Sequence, residues 1–327
     1  MKLNKIAITA IICSLFTNYN IRINDPNYFW GHFHWIHSDK IYIWMILFNI
    51  YASLIILQKK ISIKNFLINN WAIIFLIFTL NLSIISKISY LSILLVSQNI
   101  NYQNLKNGIK AGVYLNIAIG TLQIILQKDL NLTILGEINL QNNSFEIFNL
   151  IRPQGLFEHP NIYGLSLVLL SIYAGSSKIQ QISLLSSLSL QNIIANTVIN
   201  YKKTSALIIL IIALIIKNPI SHNSSFTDRI DLIKNKHTEY KLKPWEVKIP
   251  HNIYQFSIEK HKTLNTIITI TFFYLILIKE KKIGLGLILL SLFDHMLLSQ
   301  SFGIIFLCLI QTKINSNSRY KKIKQAS

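Results

Sequence analysis

Long apolar runs separated by short polar clusters dominate the chain. They predict helices near 6–17, 41–57, 66–86, 88–100, 109–126, 161–176, 204–216, 263–278, 283–298 and 301–312. Several are shorter than the roughly 20 residues that a full bilayer span needs, so flanking Asn and Ser must extend them. The first run follows Lys2 and Lys5 and has no convincing small-residue cleavage site, so it reads as a retained helix. Segment 179–200 is apolar yet carries Gln180, Gln181, Gln191, Asn192 and Asn196. That mixture fits either a span or an amphipathic piece at the membrane surface.

Composition supports a membrane reading. Of 327 residues, 51% are hydrophobic and 14% charged, against about 25% charged in soluble domains. The pattern excludes an ordinary cytosolic enzyme and a disordered chain. The net charge of +19 comes from 32 basic and 13 acidic residues. In an apolar chain this excess points to cytoplasmic loops rather than to nucleic acid. Cys13 and Cys308 lie inside the first and last apolar runs and read as small apolar residues.

Charge placement then sets the expected topology. With the N-terminus inside, Lys59, Lys60, Lys64, Lys106, Lys110, Lys279, Lys281, Lys282 and the basic tail after Lys313 also fall inside. This requires that 179–200 not cross, and it leaves Lys40 and Lys87 outside. The expectation is a single all-α membrane domain over 1–327, a polytopic bundle of about ten spans. Its outer loops cover 18–40, 127–160 and 217–262. The last is the largest and stays basic, with nine Lys/Arg against five acids. A basic outer loop suggests an anionic ligand at that face, beside the plain reading of a solvated loop in a Lys-rich chain.

Candidate chemistry concentrates at the outer ends. Arg152-Pro153-Gln154-Gly155-Leu156-Phe157-Glu158-His159-Pro160-Asn161 is a turn-rich approach to a helix. Gly155 and Pro160 delay helix formation, and Asn161 sits where a cap is expected. The helix dipole, open N–H groups and the guanidinium of Arg152 suit an anion; the alternative is a structural turn. Arg is scarce here (Arg22, Arg152, Arg229 and Arg319), and Arg152 and Arg229 fall in the two largest outer loops. His251 opens His251-Asn252-Ile253-Tyr254, and an outer-face imidazole suits proton abstraction from a hydroxyl. Asp294 and His295 form an ionisable pair at a helix end, either functional or a snorkelled polar terminus. His32, His34 and His37 match no tetrahedral metal spacing and read, beside Trp30 and Trp35, as part of an interfacial aromatic belt. No metal or cofactor motif is present in the sequence.

These segments resemble the O-antigen ligase and polymerase superfamily, polytopic glycan-transferring enzymes of bacterial envelopes. Arg152 to Asn161 is similar to that family's Arg-x-x-Gly-x-Phe-x-His-Pro-Asn turn. His251 to Tyr254 is similar to its His-Asn-x-Tyr motif, and Phe293-Asp294-His295 to an Asp-His segment near the C-terminus. The resemblance covers roughly 150–312. It implies an inner-membrane glycosyltransferase of lipopolysaccharide or polysaccharide biosynthesis, working at the outer face without metal and with inversion. The donor would be a glycan on undecaprenyl or another polyprenyl pyrophosphate; the acceptor would be a glycan or lipid hydroxyl. Arg152 and Arg229 would bind the pyrophosphate and His251 would be the base. His159, Asn161, Asn252, Tyr254, Asp294 and His295 would support them. This chain has Lys202-Lys203 where members often have Ser-Arg. The residues leave open a polymerase that extends a lipid-linked repeat, and a lipid-glycan transporter with Asn49, Asn81 and Asn116 along a route.

Overall fold

The computed structural model describes residues 5–22, 27–29, 32–34, 40–58, 62–80, 82–137, 146–147, 150–157, 159–187, 189–200, 253–293, 296–299 and 301–326. They are mostly helical. The helices are α1 (Lys5–Cys13), α2 (Ile43–Gln58), α3 (Ile63–Thr79), α4 (Ile84–Asn99), α5 (Tyr102–Leu126), α6 (Pro160–Ala174), α7 (Lys178–Ser186) and α8 (Leu190–Asn200). After the undescribed stretch 201–252 come α9 (Ile253–Lys279), α10 (Lys281–Phe293), α11 (Met296–Ser299) and α12 (Ser301–Ala326). Three short antiparallel ribbons accompany them: Asn20–Arg22 with Lys40–Tyr42, Asn27–Phe29 with His32–His34, and Glu146–Ile147 with Leu150–Ile151.

Local capping explains where several boundaries differ from the hydrophobic pattern. The break expected at Lys87 lies earlier, at 80–83, because Ser83 caps α4 by accepting from the Ser86 N–H at 3.3 Å. Lys87 therefore sits in the first turn of α4, with its Nζ on the Phe78 carbonyl at 3.1 Å. Helix α5 starts at Tyr102 rather than 109, because Asn101 caps it by accepting from the Gln103 N–H at 2.8 Å. Helix α9 starts ten residues before the expected 263, at Ile253. The run expected over 283–298 divides into α10 and the short α11.

Interhelical contacts define two ends. The upper end carries the Asn20–Arg22 ribbon and the turn at 152–157; the lower end carries Lys5 and the last turns of α12. Helices α1, α3, α5 and α10 run from lower to upper, while α2, α4, α6, α9 and α12 run the other way. Gly108 and Gly112 of α5 let α1 approach so closely that an added Cβ would fall 2.5 Å from Ile12 and 2.4 Å from Phe16. Two small residues four apart are the usual means for such helix contact. Asn265 of α9 meets Thr79 at the top of α3 (2.8 Å), and Asn317 of α12 meets Glu280 at the bottom (3.0 Å).

Segment 179–200, expected as one piece that either spans or lies at the surface, folds as a hairpin in which α7 rises beside α6 and α8 returns. Gln180 bonds the Leu167 carbonyl midway along α6. Ser187 reaches Arg152 at the upper turn. Asn192 then bonds the Asn161 carbonyl at 2.7 Å, and Ile199 packs on Gly286 near the lower end of α10.

Helix α12 is the axis of the bundle, buried from Phe302 to Thr312 and packed on α3, α4, α6 and α11. The core is mainly apolar, with amides buried within it: Asn70, Asn116, Gln123, Asn192, Asn265 and Gln311. Apolar side chains cover the outer faces, including Leu67, Trp71, Phe75 and Phe78 on α3 and Ile267, Ile270, Tyr274 and Ile278 on α9. Among the described residues, Tyr102–Leu126 is the helix both long and apolar enough to cross a bilayer. Shorter apolar helices include Ile43–Gln58, Ile63–Thr79 and Pro160–Ala174.

Candidate functional site

The turn at 152–157 is built by α5. Asn116 and Gln123 lie seven residues apart and so on one helix face. Asn116 Oδ1 accepts the Leu156 N–H at 2.7 Å, while its Nδ2 donates to the Phe16 and Gly112 carbonyls at 2.8 and 2.9 Å. Gln123 Oε1 accepts from the N–H groups of Gln154 and Gly155 at 3.2 and 3.0 Å. Its Nε2 donates to the Gly155 carbonyl at 2.9 Å and to Glu137 Oε1 at 2.8 Å. Glu137 is buried and also accepts the N–H groups of Leu130 and Leu132 at 2.8 and 2.7 Å. A buried carboxylate with several donors aimed at it is a stable anchor.

Gly155 is required twice over. Its φ is +59°, and a Cβ there would sit 2.5 Å from Asn116 Oδ1. The resulting tight turn delivers Arg152 to the upper end of the α7–α8 hairpin. The Arg152 Nε donates to the Ser187 carbonyl at 2.9 Å, and Nη2 donates to Asn161 Oδ1 at 3.2 Å. A guanidinium on the final carbonyls of α7 is a charged cap, and it fixes the plane of the fork.

The cap of α6 is His159, not Asn161. His159 Nδ1 accepts the Asn161 N–H at 3.0 Å, and Pro160 occupies the first helical position. The N–H groups of Ile162 and Tyr163 return to the His159 carbonyl at 3.0 and 3.2 Å. The open N–H groups expected at this terminus are therefore already engaged, so an anion here meets side chains and the dipole rather than backbone donors. Asn161, freed from capping, orients Arg152 instead. Asn192 at the start of α8 crosses to α6 at Gly164, where a Cβ would fall 2.7 Å from its Nδ2. The start of α8 is thus tied to the first turn of α6, while the Arg152 guanidinium sits between the end of α7 and the Asn161 side chain.

Of the residues singled out from the sequence, Arg152, His159 and Asn161 come together. Tyr254 lies in the first turn of α9, which begins at the upper end. Arg229, His251, Asn252, Asp294 and His295 lie outside the described residues, as does Asn81. Asn49 is held by Ser89 and Ser92 at 3.0 and 2.7 Å, and Asn116 by the turn, so neither is open along a route. The pattern reading missed Gln123, Glu137, Ser187 and Asn192 as parts of the site. An amide pair at 116 and 123 on one face of an apolar helix was the available signal.

Beside the turn, a small cleft of about 30 Å³, room for little more than a water molecule, opens between residues 15–18, α2, α6 and α12. Leu15, Tyr42, Trp44, Phe157 and Phe302 wall it, with Thr17, Asn18 and Ser301 as its polar groups. Phe157 and Phe302 are in ring contact at 4.8 Å between centroids. The chain matches no family model, no curated protein and no solved structure.

Proposed function

We propose that this chain is a polytopic inner-membrane glycosyltransferase that moves a glycan from a polyprenyl-pyrophosphate carrier to an acceptor hydroxyl at the outer face. The observation that carries the reading is an Arg152 guanidinium whose plane is set by the Ser187 carbonyl and by Asn161 at the start of α6. Pyrophosphate leaves as an anion, and a fixed cation stabilises charge that grows during departure. Arg229 would supply a second guanidinium and His251 the base.

The large apolar side chains exposed along α3 and α9 support the membrane part, since so much outward apolar surface suits a hydrocarbon solvent. Helix order supports a polytopic chain, since successive long helices alternate in direction between the two ends, and a span at 204–216 would join Asn200, near the lower end, to Ile253 at the upper end. The hairpin at 178–200 starts and finishes low, as the charge pattern requires. Helix α9 begins two residues past His251 at the end that holds Arg152. The interior amides are engaged with other helices, which favours chemistry over a transport route.

The test is transfer by purified protein from a lipid-linked donor. His251→Ala should keep donor binding and lose about 10²–10⁴ in rate; transfer at the wild-type rate would refute the assignment of base. Ligase and polymerase share the donor and differ in acceptor. A deletion strain with polymer stranded on the carrier indicates a ligase, and one with single repeats on the final acceptor indicates a polymerase.

A further inference from the structure

At the lower end of the bundle, Lys313 of α12 lies against two tyrosines from neighbouring helices. Its Nζ donates to the Tyr102 hydroxyl at the start of α5 and stands 4.5 Å from the centre of that ring. It is 5.8 Å from the ring of Tyr173, in the last turn of α6. The two rings stack at 5.9 Å with 19° between planes, and the Tyr173 hydroxyl donates to the Leu309 carbonyl at 2.7 Å. The ring faces hold the ammonium in place through their quadrupoles. Lys106 and Lys110 follow Tyr102 one and two turns along the same side of α5, and both are half-buried. Among the described residues none of these three lysines has a carboxylate partner.

Depth and charge together state what completes this cluster. Lys313 is the first charge along α12, directly after its buried apolar stretch. The charges of α5 stop at Lys110, and its apolar stretch follows. Both helices thus pass from polar to apolar at one level. That level is the edge of a hydrocarbon slab, where tyrosines and snorkelled lysines belong and phospholipid headgroups lie. An ammonium has three donors, and the Tyr102 hydroxyl takes one of those on Lys313. Helix α12 continues to Ala326 and carries Arg319, Lys321, Lys322 and Lys324, with no Asp or Glu after Lys313. Glu280, the acid of this end among the described residues, accepts from Asn317 at 3.0 Å. A zwitterionic headgroup brings a cation of its own against this surplus, whereas an anionic one matches it.

We infer that Lys313, seated on Tyr102 and Tyr173, forms with Lys106 and Lys110 a binding site for the phosphodiester of an anionic phospholipid. The inference rests on the membrane part of the proposed function and not on glycosyl transfer. Full-length protein, delipidated in detergent, is titrated with dioctanoyl phosphatidylglycerol or dioctanoyl phosphatidylcholine, and native mass spectrometry counts the bound lipid. Phosphatidylglycerol should bind at least about tenfold tighter, and more weakly as salt is raised. Lys313→Gln should weaken it about fivefold, as loss of one cation near a headgroup predicts, and Lys313→Arg should retain it. Lys279→Gln, at an exposed lysine of the same end, should change it by less than about twofold. If Lys313→Gln alters the melting profile, the double variant Lys106→Gln with Lys110→Gln carries the test, with at least the same loss. Equal affinity for the two lipids, or equal losses in the Lys313 and Lys279 variants, overturns the site. So does displacement of the lipid by glycerol phosphate at matching concentration, which would make it a site for soluble phosphate. Protein that stays in solution without detergent removes the membrane reading and the site together. Equal lipid affinities in a protein that needs detergent remove the site alone.

Discussion

Two buried amide clusters lie at opposite ends of the bundle and do different things. At the upper end Asn116 and Gln123 bond mostly to backbone, and so shape a turn. At the lower end amides bond each other. Gln98 Nε2 donates to Asn70 Oδ1 at 2.7 Å, Asn315 Nδ2 donates to the same oxygen at 3.1 Å, and Gln311 Nε2 donates to Asn315 Oδ1 at 3.2 Å. The lower cluster ties α3, α4 and α12 together and presents no charge. The upper cluster holds non-helical backbone so that one guanidinium is presented at a set angle. Buried irregular backbone needs such partners, because it has no helix or strand ladder of its own to satisfy it. The same residue type therefore serves as glue between helices or as a mould for a loop, depending on whether its neighbours are side chains or main chain.

The sharpest break in this contrast is Arg152→Ala. It should lower transfer by about 10²–10³, as removal of one charge-stabilising donor does elsewhere. Arg152→Lys should recover only part of that, because a point charge cannot bond Ser187 and Asn161 with one plane. Rate measurement with saturating donor checks both. If Arg152→Ala keeps full transfer, the charged cap on α7 is its only task.

Gln123→Leu comes next. It strands the N–H groups of Gln154 and Gly155 and the Gly155 carbonyl, so it should destabilise by about 1–3 kcal/mol and lower transfer as the turn loosens. Thermal unfolding and rate on the same preparation measure the two together. Gly155→Ala adds strain at positive φ and a clash with Asn116, with a comparable expected cost of about 1–3 kcal/mol. The smallest effect belongs to the lower cluster. Asn70→Leu should cost about 0.6–1.7 kcal/mol, the usual range for hydrogen bonds between membrane helices, and should leave transfer unchanged. A lower-end variant that lost activity as strongly as Gln123→Leu would erase the distinction between the two ends.

Much of the architecture was legible beforehand. Apolar runs located the helices, because burying a helix in apolar surroundings depends on local composition. The Arg152 turn was legible too, since Gly155 and Pro160 mark it whatever surrounds it. The hairpin at 178–200 was not, because its Ser, Gln and Asn fit a span, a surface helix or a buried return equally. Its path was set by Gln180 on Leu167, Ser187 on Arg152 and Asn192 on Asn161, all contacts between separate segments. The break after Thr79 was missed because apolar residues continue on both sides of it, and it is marked by an extended Leu80 and the Ser83 cap that starts α4.

Asn116, Gln123 and Glu137 state the division most clearly. Their positions in the chain establish that one face of a long apolar helix carries two amides and that a carboxylate follows shortly after. Periodicity is a property of neighbours along the backbone, so this much is fixed before folding. Whether that face meets a solute, another helix or a loop is fixed by what packs on it. Here it is backbone some 30 to 40 residues onward, where Gln154, Gly155 and Leu156 have no helix of their own to bond to. An amide reads the same in every setting, and only the arrival of that unpaired turn made these two into the frame for Arg152.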